Sequence, residues 1–362
     1  MKILVITDLY PIEENEKHTP RTIFDFVQGW KDLGHEVSVI KPNFILNSFL
    51  RKKPFYKSGQ YGEVLNLNFW TPFWGNVKNK IPCGLIPTQA LHDEGGSNDF
   101  DLVIAHMPSG LLYANKIADK NLPFVAGVHV SDIEVLTNPI YSVYFRTGLE
   151  KAYKRASKIA CRSEILREKF LRLYPEFTKK TFVAYSGINP EFITQKEWQI
   201  KDRYRVLTCA KLIKRKNVDK VIKACDRIEN IDLTVIGEGE ELESLKKLSS
   251  KPAFLGHLEH SKVLEEMRNA DIFILPSQNE TFGMVYLEAM ASGCVTVGLR
   301  GDGIDGIIEN GVNGYLTGLN NIDLVIKKII NTDNNCLLQN AHETILNYTK
   351  EKACLNYLNN CF

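Results

Sequence analysis

Glu280 and Glu288 stand on either side of Phe282-Gly283-Met284-Val285, inside residues 277–316, the stretch of this chain richest in chemical groups at telling positions. The run DIFILP at 271–276 reads as a buried strand, 276–283 as a loop, and 284–292 as a helix stopped by Gly293. A loop feeding a helix start presents unbonded N–H groups at the positive end of the helix dipole, which suits a phosphate. Carboxylates beside such an anion site accept hydrogen bonds from sugar hydroxyls, so the pattern suggests a nucleotide-sugar pocket. Each glutamate taken alone reads equally as an ordinary solvated residue, because Glu is seldom fully buried unless paired.

Other groups fall at comparable places. Transfer from a nucleotide sugar needs the leaving diphosphate neutralised, by a metal or by Lys and Arg with a helix N-terminus. The run AKLIKRKN supplies Lys211, Lys214, Arg215 and Lys216 directly after the strand pattern YRVLTC. On charge alone this is a solvated basic loop; its position at a strand end makes it a candidate. His129 follows PFVAGV and His106 lies in the same position after DLVIA, although a lone histidine is more often structural. Gly237-Glu238-Gly239 follows IDLTVI but lacks the third glycine of a dinucleotide fingerprint, and a tight strand-to-helix turn explains it as well.

These positions depend on the elements around them. Short apolar strands alternate with helical patterns from the first residues. KILVIT leads to a helix over 22–33 and the strand EVSVI, and DLVIA to a helix over 111–118 and PFVAGV. A helix over 146–155, KIAC, a helix over 165–173 and TFVAY complete the first series. A polar segment at 194–203 precedes a second series with strands YRVLTC, IDLTVI, AFLG, DIFIL and CVTVG. Alternation of this kind predicts parallel βαβ units with helices on both sheet faces, in two successive Rossmann-like domains. The boundary is expected near 195, giving domains over 1–194 and 195–347 and a final helix in the tail, 348–362. Ligands of open α/β sheets bind outside the carboxyl ends of the strands, so the cleft between two such domains is the expected site.

Composition narrows the class. The 362 residues exceed the usual limit of about 250–300 for one core, and 44% hydrophobic with 24% charged residues is ordinary for a soluble protein. A net charge of +2 gives no argument for nucleic acid. No run approaches the ~20 apolar residues of a membrane span, and MKILVITD reads as a first strand, not a signal peptide. The eight cysteines are scattered without a Cys-x-x-Cys pair, which suits free thiols in a reducing cytosol. The histidines form no ligand cluster, so no built-in metal is expected. Residues 49–80 interleave Phe49, Arg51, Lys52, Lys53, Phe55, Tyr56 and Lys57 with Phe69, Trp70, Phe73, Trp74, Lys78 and Lys80. An interfacial patch at the inner face of an anionic membrane has this character. So has a loop covering an acceptor, or core aromatics beside a solvated basic face.

The whole segment resembles the Glu-x7-Glu region of retaining glycosyltransferases of family 4, which have the GT-B fold. Pro276-Ser277, the Phe-Gly after Glu280, the Glu-Ala-Met-Ala-x-Gly run from Glu288 to Gly293, Gly303-Ile304 and Asn313-Gly314 all match. The resemblance implies that Glu280 lies by the donor sugar, that Glu288 holds the ribose hydroxyls, and that amides around Gly283, Met284 and Val285 face the diphosphate. It also implies phosphate contacts for Lys211 and Lys216, which match a family Arg and Lys in spacing, although Lys211 lacks the bidentate fork of Arg. By the same resemblance Gly237 lies near the nucleotide and His129 touches the transferred sugar. The leaving phosphate oxygen would take the acceptor proton. The first loop departs from the family: it has Glu14 to Lys17 where many members have Gly-Gly, so Arg21 either replaces those amides or binds an acceptor phosphate. The expected activity is therefore transfer from a nucleoside-diphosphate sugar to a glycan or lipid-linked acceptor, with no further cofactor, in bacterial surface polysaccharide synthesis. The alternatives are a GT-B sugar-nucleotide epimerase or phosphorylase, and a non-catalytic sugar-nucleotide-binding subunit.

Overall fold

The computed structural model describes residues 1–12, 21–45, 58–70, 100–117 and 122–362. The first loop at 14–20, Cys83 and most of the basic-aromatic stretch lie outside these residues. The chain divides into two compact units. One holds Met1–Arg162, Leu166–Tyr185 and Ala353–Phe362; the other holds Ser163–Ile165 and Ser186–Lys352.

The first unit is built on eight strands: β1 (Lys2–Ile6), β2 (Glu36–Ile45), β3 (Gly59–Tyr61), β4 (Val64–Trp70), β5 (Leu102–His106), β6 (Phe124–Val128), β7 (Lys158–Cys161) and β8 (Thr181–Val183). Their order is β3-β4-β2-β1-β5-β6-β7-β8, parallel throughout except for the antiparallel β3–β4 pair. Strands β1, β5 and β6 are buried almost without interruption, because helices cover both faces and leave no polar side to alternate towards. The helices Thr22–Asp32 and Glu164–Leu173 fall as the apolar periodicity expects. The helix expected over 146–155 runs from Pro139 to Arg155, and a shorter one, Val130–Thr137, precedes it. Strand β2 runs five residues beyond EVSVI, and β3 and β4 form between EVSVI and DLVIA, where no strand is expected from the apolar runs. Their alternating polar residues hide them from a search for apolar runs.

The second unit has six parallel strands: β9 (Tyr204–Cys209), β10 (Ile231–Ile236), β11 (Ala253–Gly256), β12 (Ile272–Leu275), β13 (Val295–Leu299) and β14 (Tyr315–Thr317). Their order, β11-β10-β9-β12-β13-β14, is that of a Rossmann sheet, with the reversal of strand order between β9 and β12. In the first unit the corresponding reversal falls between β1 and β5.

The helix Lys350–Asn359 closes the first core. It buries Ala353, Cys354, Tyr357 and Leu358. The Tyr357 ring meets Phe26 and Trp30 edge-on, each at 5.2 Å between centroids, and Phe182 at 5.6 Å. Trp30 Nε1 donates to the Cys354 carbonyl at 3.2 Å, which fastens the helix Thr22–Asp32 to the chain's end. Arg162, 1% exposed, donates to the Ala184 carbonyl at 2.7 Å and lies 5.0 Å over the Phe26 ring. Replacing Tyr357 by Ala should therefore lower the stability of this unit by about 3–5 kcal/mol, as for other large-to-small changes in aromatic cores. Tyr357→Phe should cost only about 1 kcal/mol, the value of one hydrogen bond. Urea unfolding of both variants checks this, and an Ala variant as stable as wild type would contradict the packing role.

Candidate functional site

In the second unit, pairing between β9 and β12 stops at Leu207 and Phe273, although both strands continue. Their carboxyl ends separate there, and the loops that follow carry Lys211, Lys216, Glu280 and Gly283. The loop after β9 is a single tight turn, Lys214–Lys216, ended by Asn217 in the left-handed conformation at φ 52°. Asn217 Nδ2 donates to the Pro276 carbonyl at 2.8 Å, and Gln278 N–H donates to the Arg215 carbonyl at 2.8 Å. These bonds pin the β9 loop to the β12 loop.

The pinning brings Lys216 to Glu280. The Lys216 ammonium donates to Glu280 Oε2, the Ser277 hydroxyl donates to the same oxygen at 3.1 Å, and the Arg215 guanidinium is 3.9 Å away. Both partners are largely withdrawn from solvent, with side chains 11% and 18% exposed. A carboxylate in that position needs such donors, since an unpaired charge there would be strongly disfavoured.

Asp302 was not singled out by the sequence, yet it fixes where Glu280 sits. Its buried carboxylate accepts from Asn279 N–H and Glu280 N–H, each at 2.7 Å, and from Gly303 N–H at 2.8 Å. Asn279 takes φ 55° to bring its amide round. A Cβ on Gly303 would lie 2.6 Å from the Glu280 carbonyl, so only glycine permits this approach. The GDGIDG run offered one clue, an acidic side chain between glycines.

The helix Met284–Ala291 starts at Gly283, whose φ of 85° and closeness to the Tyr286 ring (2.5 Å from a built Cβ) again require glycine. In the first turn of a helix the N–H groups have no carbonyl four residues back to bond, so those of Met284 and Val285 have no partner within the helix. One turn on, Glu288 Oε1 shares a 2.9 Å hydrogen bond with His260 Nε2, from the first residue of the helix His260–Asn269. The Phe192 ring stands edge-on to His260 at 5.5 Å. This fixed partner for Glu288 had no signal in sequence, because it comes from the connection after β11.

The Cys209 thiol at the end of β9 ties these groups together electrostatically. Burial pushes it up to about 12, Glu288 adds to the rise, and Lys216 opposes it. Gly237, after β10, has φ 130°, and a Cβ there would lie 1.9 Å from the Ala210 carbonyl. Lys211 is exposed; its carbonyl accepts from Ile213 N–H at 2.9 Å, while its side chain makes no hydrogen bond or ion pair among the described residues.

The first unit brings together its two histidines. His106, fully buried at the end of β5, shares a 3.0 Å hydrogen bond through Nδ1 with His129 Nε2, and its Nε2 lies 3.2 Å from the Tyr357 hydroxyl. His129 N–H donates to Asp132 at 2.9 Å, and Tyr153 donates to the other Asp132 oxygen at 3.1 Å. Arg21, at the start of the helix Thr22–Asp32, is exposed, with its guanidinium 4.2 Å over the Phe24 ring. Burial, then the charge of Arg162, holds His129 down to about 3; burial also lowers His106, with His129 and Arg162 adding to the effect. Both rings are neutral at physiological pH. Burial raises the Asp132 carboxyl to about 7 against its hydrogen bonds from His129 and Tyr153.

Among the described residues no group of three His, Cys, Asp or Glu is arranged to hold a metal ion, and no helix is long and apolar enough to cross a membrane. None of the described cysteines is in a disulfide, and Cys161, Cys225, Cys294, Cys354 and Cys361 are buried.

The signs of these shifts set a pH dependence. Histidines lowered in the folded state stabilise it above the unfolded value of about 6.5, and that contribution is lost on acidification towards about 3. A carboxyl raised to about 7 does the opposite, its contribution being lost as pH rises through that value. The two slopes partly cancel. Asp132→Asn removes only the second, so the melting temperature of the variant should gain on wild type as pH rises from about 4 to about 8. A constant difference across that range would contradict a carboxyl held in the protonated form.

Comparison with known proteins places the whole chain. Residues 191–347 match the glycosyl transferases group 1 profile and residues 19–192 the glycosyltransferase family 4 profile. An uncharacterized glycosyltransferase of Methanocaldococcus jannaschii is 27% identical over 316 residues, covering 83% of this chain and 85% of that protein. The putative teichuronic acid biosynthesis glycosyltransferase TuaC of Bacillus subtilis is 25% identical over 323 residues, covering 80% and 79%. Among solved structures, sucrose-phosphate synthase from Thermosynechococcus elongatus superposes with a TM-score of 0.71 at 16% identity, over 99% of this chain and 97% of the other. Anabaena HepE in complex with UDP gives 0.71 at 18% identity, over 99% of both chains. Two adjoining glycosyltransferase profiles and a full-length structural match lead to one assignment: the chain belongs to the family 4 glycosyltransferases and has the GT-B fold.

Proposed function

We propose that this glycosyltransferase takes a sugar from a nucleoside-diphosphate donor and passes it, with retention of configuration, to a glycan or lipid-linked acceptor in surface polysaccharide synthesis. The observation that carries this reading is the Lys216–Glu280 pair beside the start of the helix Met284–Ala291. Lys216 and the Met284 and Val285 amides supply positive potential for the diphosphate without a resident metal, and Lys211 is free to close on it. Glu288, steadied by His260, takes the ribose hydroxyls, and Glu280 faces the sugar. A solved relative carrying UDP supports a nucleoside-diphosphate donor, and a relative named for teichuronic acid synthesis supports the pathway.

In this reaction the bond from the anomeric carbon to the diphosphate breaks as the bond to the acceptor oxygen forms on the same face. The leaving phosphate oxygen takes the acceptor proton. His129 positions the sugar without attacking it, in keeping with its low basicity, and Arg21 and the His106 side of the first unit serve the acceptor. Residues 49–80 support contact with an anionic membrane surface, where a lipid-linked acceptor would be presented.

Glu280→Gln tests the donor site with little risk to the fold, since the amide oxygen still accepts from Ser277 and Lys216. The loss of a positioned charge is worth about 2.7–4 kcal/mol, so transfer should fall about a hundredfold or more. Glu288→Ala should instead raise the dissociation constant of the nucleoside diphosphate. Wild-type turnover in a folded Glu280→Gln protein would remove Glu280 from the reaction.

A further inference from the structure

Each of the two glutamates in the second unit's strand-end loops has one oxygen already taken. On Glu280 it is Oε2, which accepts from Lys216 and Ser277 and has the Arg215 guanidinium near it. On Glu288 it is Oε1, which meets His260 Nε2 at 2.9 Å. The other oxygen of each, Glu280 Oε1 and Glu288 Oε2, has no hydrogen-bond partner among the described residues. Both carboxylates are therefore half occupied, and each leaves a single oxygen open.

His260 owes its place to its helix. The helix His260–Asn269 buries Val263, Leu264 and Met267 and packs against the helix Met284–Ala291 that carries Glu288. Its first residue is thereby held beside Glu288, and the Phe192 ring, edge-on at 5.5 Å, limits how the imidazole can turn. A carboxylate only accepts, so the proton between the two groups sits on Nε2, and the bond persists whether or not Nδ1 is protonated. The His260 side chain is 56% exposed and that of Glu288 17% exposed. A pair open to water on one side contributes little to stability, so the two helices do not need it to stay packed. Its effect falls on the carboxylate, where it fixes one oxygen and the plane of the group.

We propose that His260 is a positioning residue that makes Glu288 read one hydroxyl of the donor's ribose and disregard its neighbour. A free carboxylate can accept one hydroxyl of a vicinal diol on each of its oxygens. With Oε1 held by His260, Oε2 is the oxygen left open, and the second hydroxyl has no unoccupied carboxylate oxygen to meet. The ligand class that fits is a nucleoside diphosphate in which one ribose hydroxyl is required and the other is dispensable. The assignment rests on the ribose role proposed above for Glu288 and adds to it a selectivity between the two hydroxyls, set by a residue from another helix.

The test titrates the full chain by calorimetry with UDP, GDP and ADP, and compares whichever binds with its 2′-deoxy and 3′-deoxy forms. For wild type one deoxy form should bind about tenfold or more weakly, the loss of a hydrogen bond to a charged acceptor, while the other stays within about twofold of the parent. His260→Ala releases Oε1, so both deoxy forms should then be weakened, and by similar factors. The exposed position of His260 keeps this variant folded. A role confined to the fold would lower the affinity for all three ligands in parallel and leave the wild-type order in place. That result overturns the proposal, as does a wild-type protein that responds equally to the loss of either hydroxyl. A protein that binds neither UDP nor GDP nor ADP would instead defeat the donor reading, and the proposal with it.

Discussion

The strand-end loops of the second unit depend on holding one carboxylate still where little of it, 18%, remains exposed. Glu280 is surrounded by Lys216, Ser277 and Arg215, and its own backbone hangs from the Asp302 carboxylate. Breaking a buried ion pair by removing one member typically costs about 3–5 kcal/mol, because the other charge is left behind. The loops after β9 and β12 are therefore not independent segments. Each is folded against the charge or the carbonyls presented by the other, with Asn217 and Gln278 as the cross-ties. Pairing between the two strands stops just below this point, which gives the loops room to diverge and then meet.

The first unit applies a different solution at its own strand-order reversal. There the polar groups are hydrogen-bonded to one another, in the order Tyr357, His106, His129 and Asp132 with Tyr153, and burial keeps the imidazoles neutral. The chain's last helix contributes Tyr357 to this network and to the aromatic packing around Trp30. Core and network thus share one residue, and the end of the sequence is part of the first unit's interior.

Much of this was legible in the residues. β9 and β10 begin and end where YRVLTC and IDLTVI do, because each is an apolar run bounded by polar turns. Glu280, Glu288 and Lys216 stood out because they follow strand patterns and flank a helix start, and the fold brings Lys216 to Glu280. Other features could not be read. β14 has three residues, too few to show a period, and β4 mixes asparagines into its run. Asp302 acts through backbone amides that only the left-handed turn at Asn279 turns towards it. His260 meets Glu288 from a different connection. For Asp302 and His260 the missing information is a contact between segments apart in sequence.

Asp302 offers the most direct test of whether the geometry of Glu280, and not just its presence, serves the proposed donor site. Asp302→Asn keeps the size of the side chain but exchanges one acceptor oxygen for a donor, so one or more of the Asn279, Glu280 and Gly303 amides loses its partner. Sugar transfer should then be measured beside the unfolding curve of the same protein. The account predicts a folded variant whose turnover drops about tenfold or more, the effect of one lost charge-assisted hydrogen bond. A folded Asp302→Asn protein that turns over donor at the wild-type rate would contradict it.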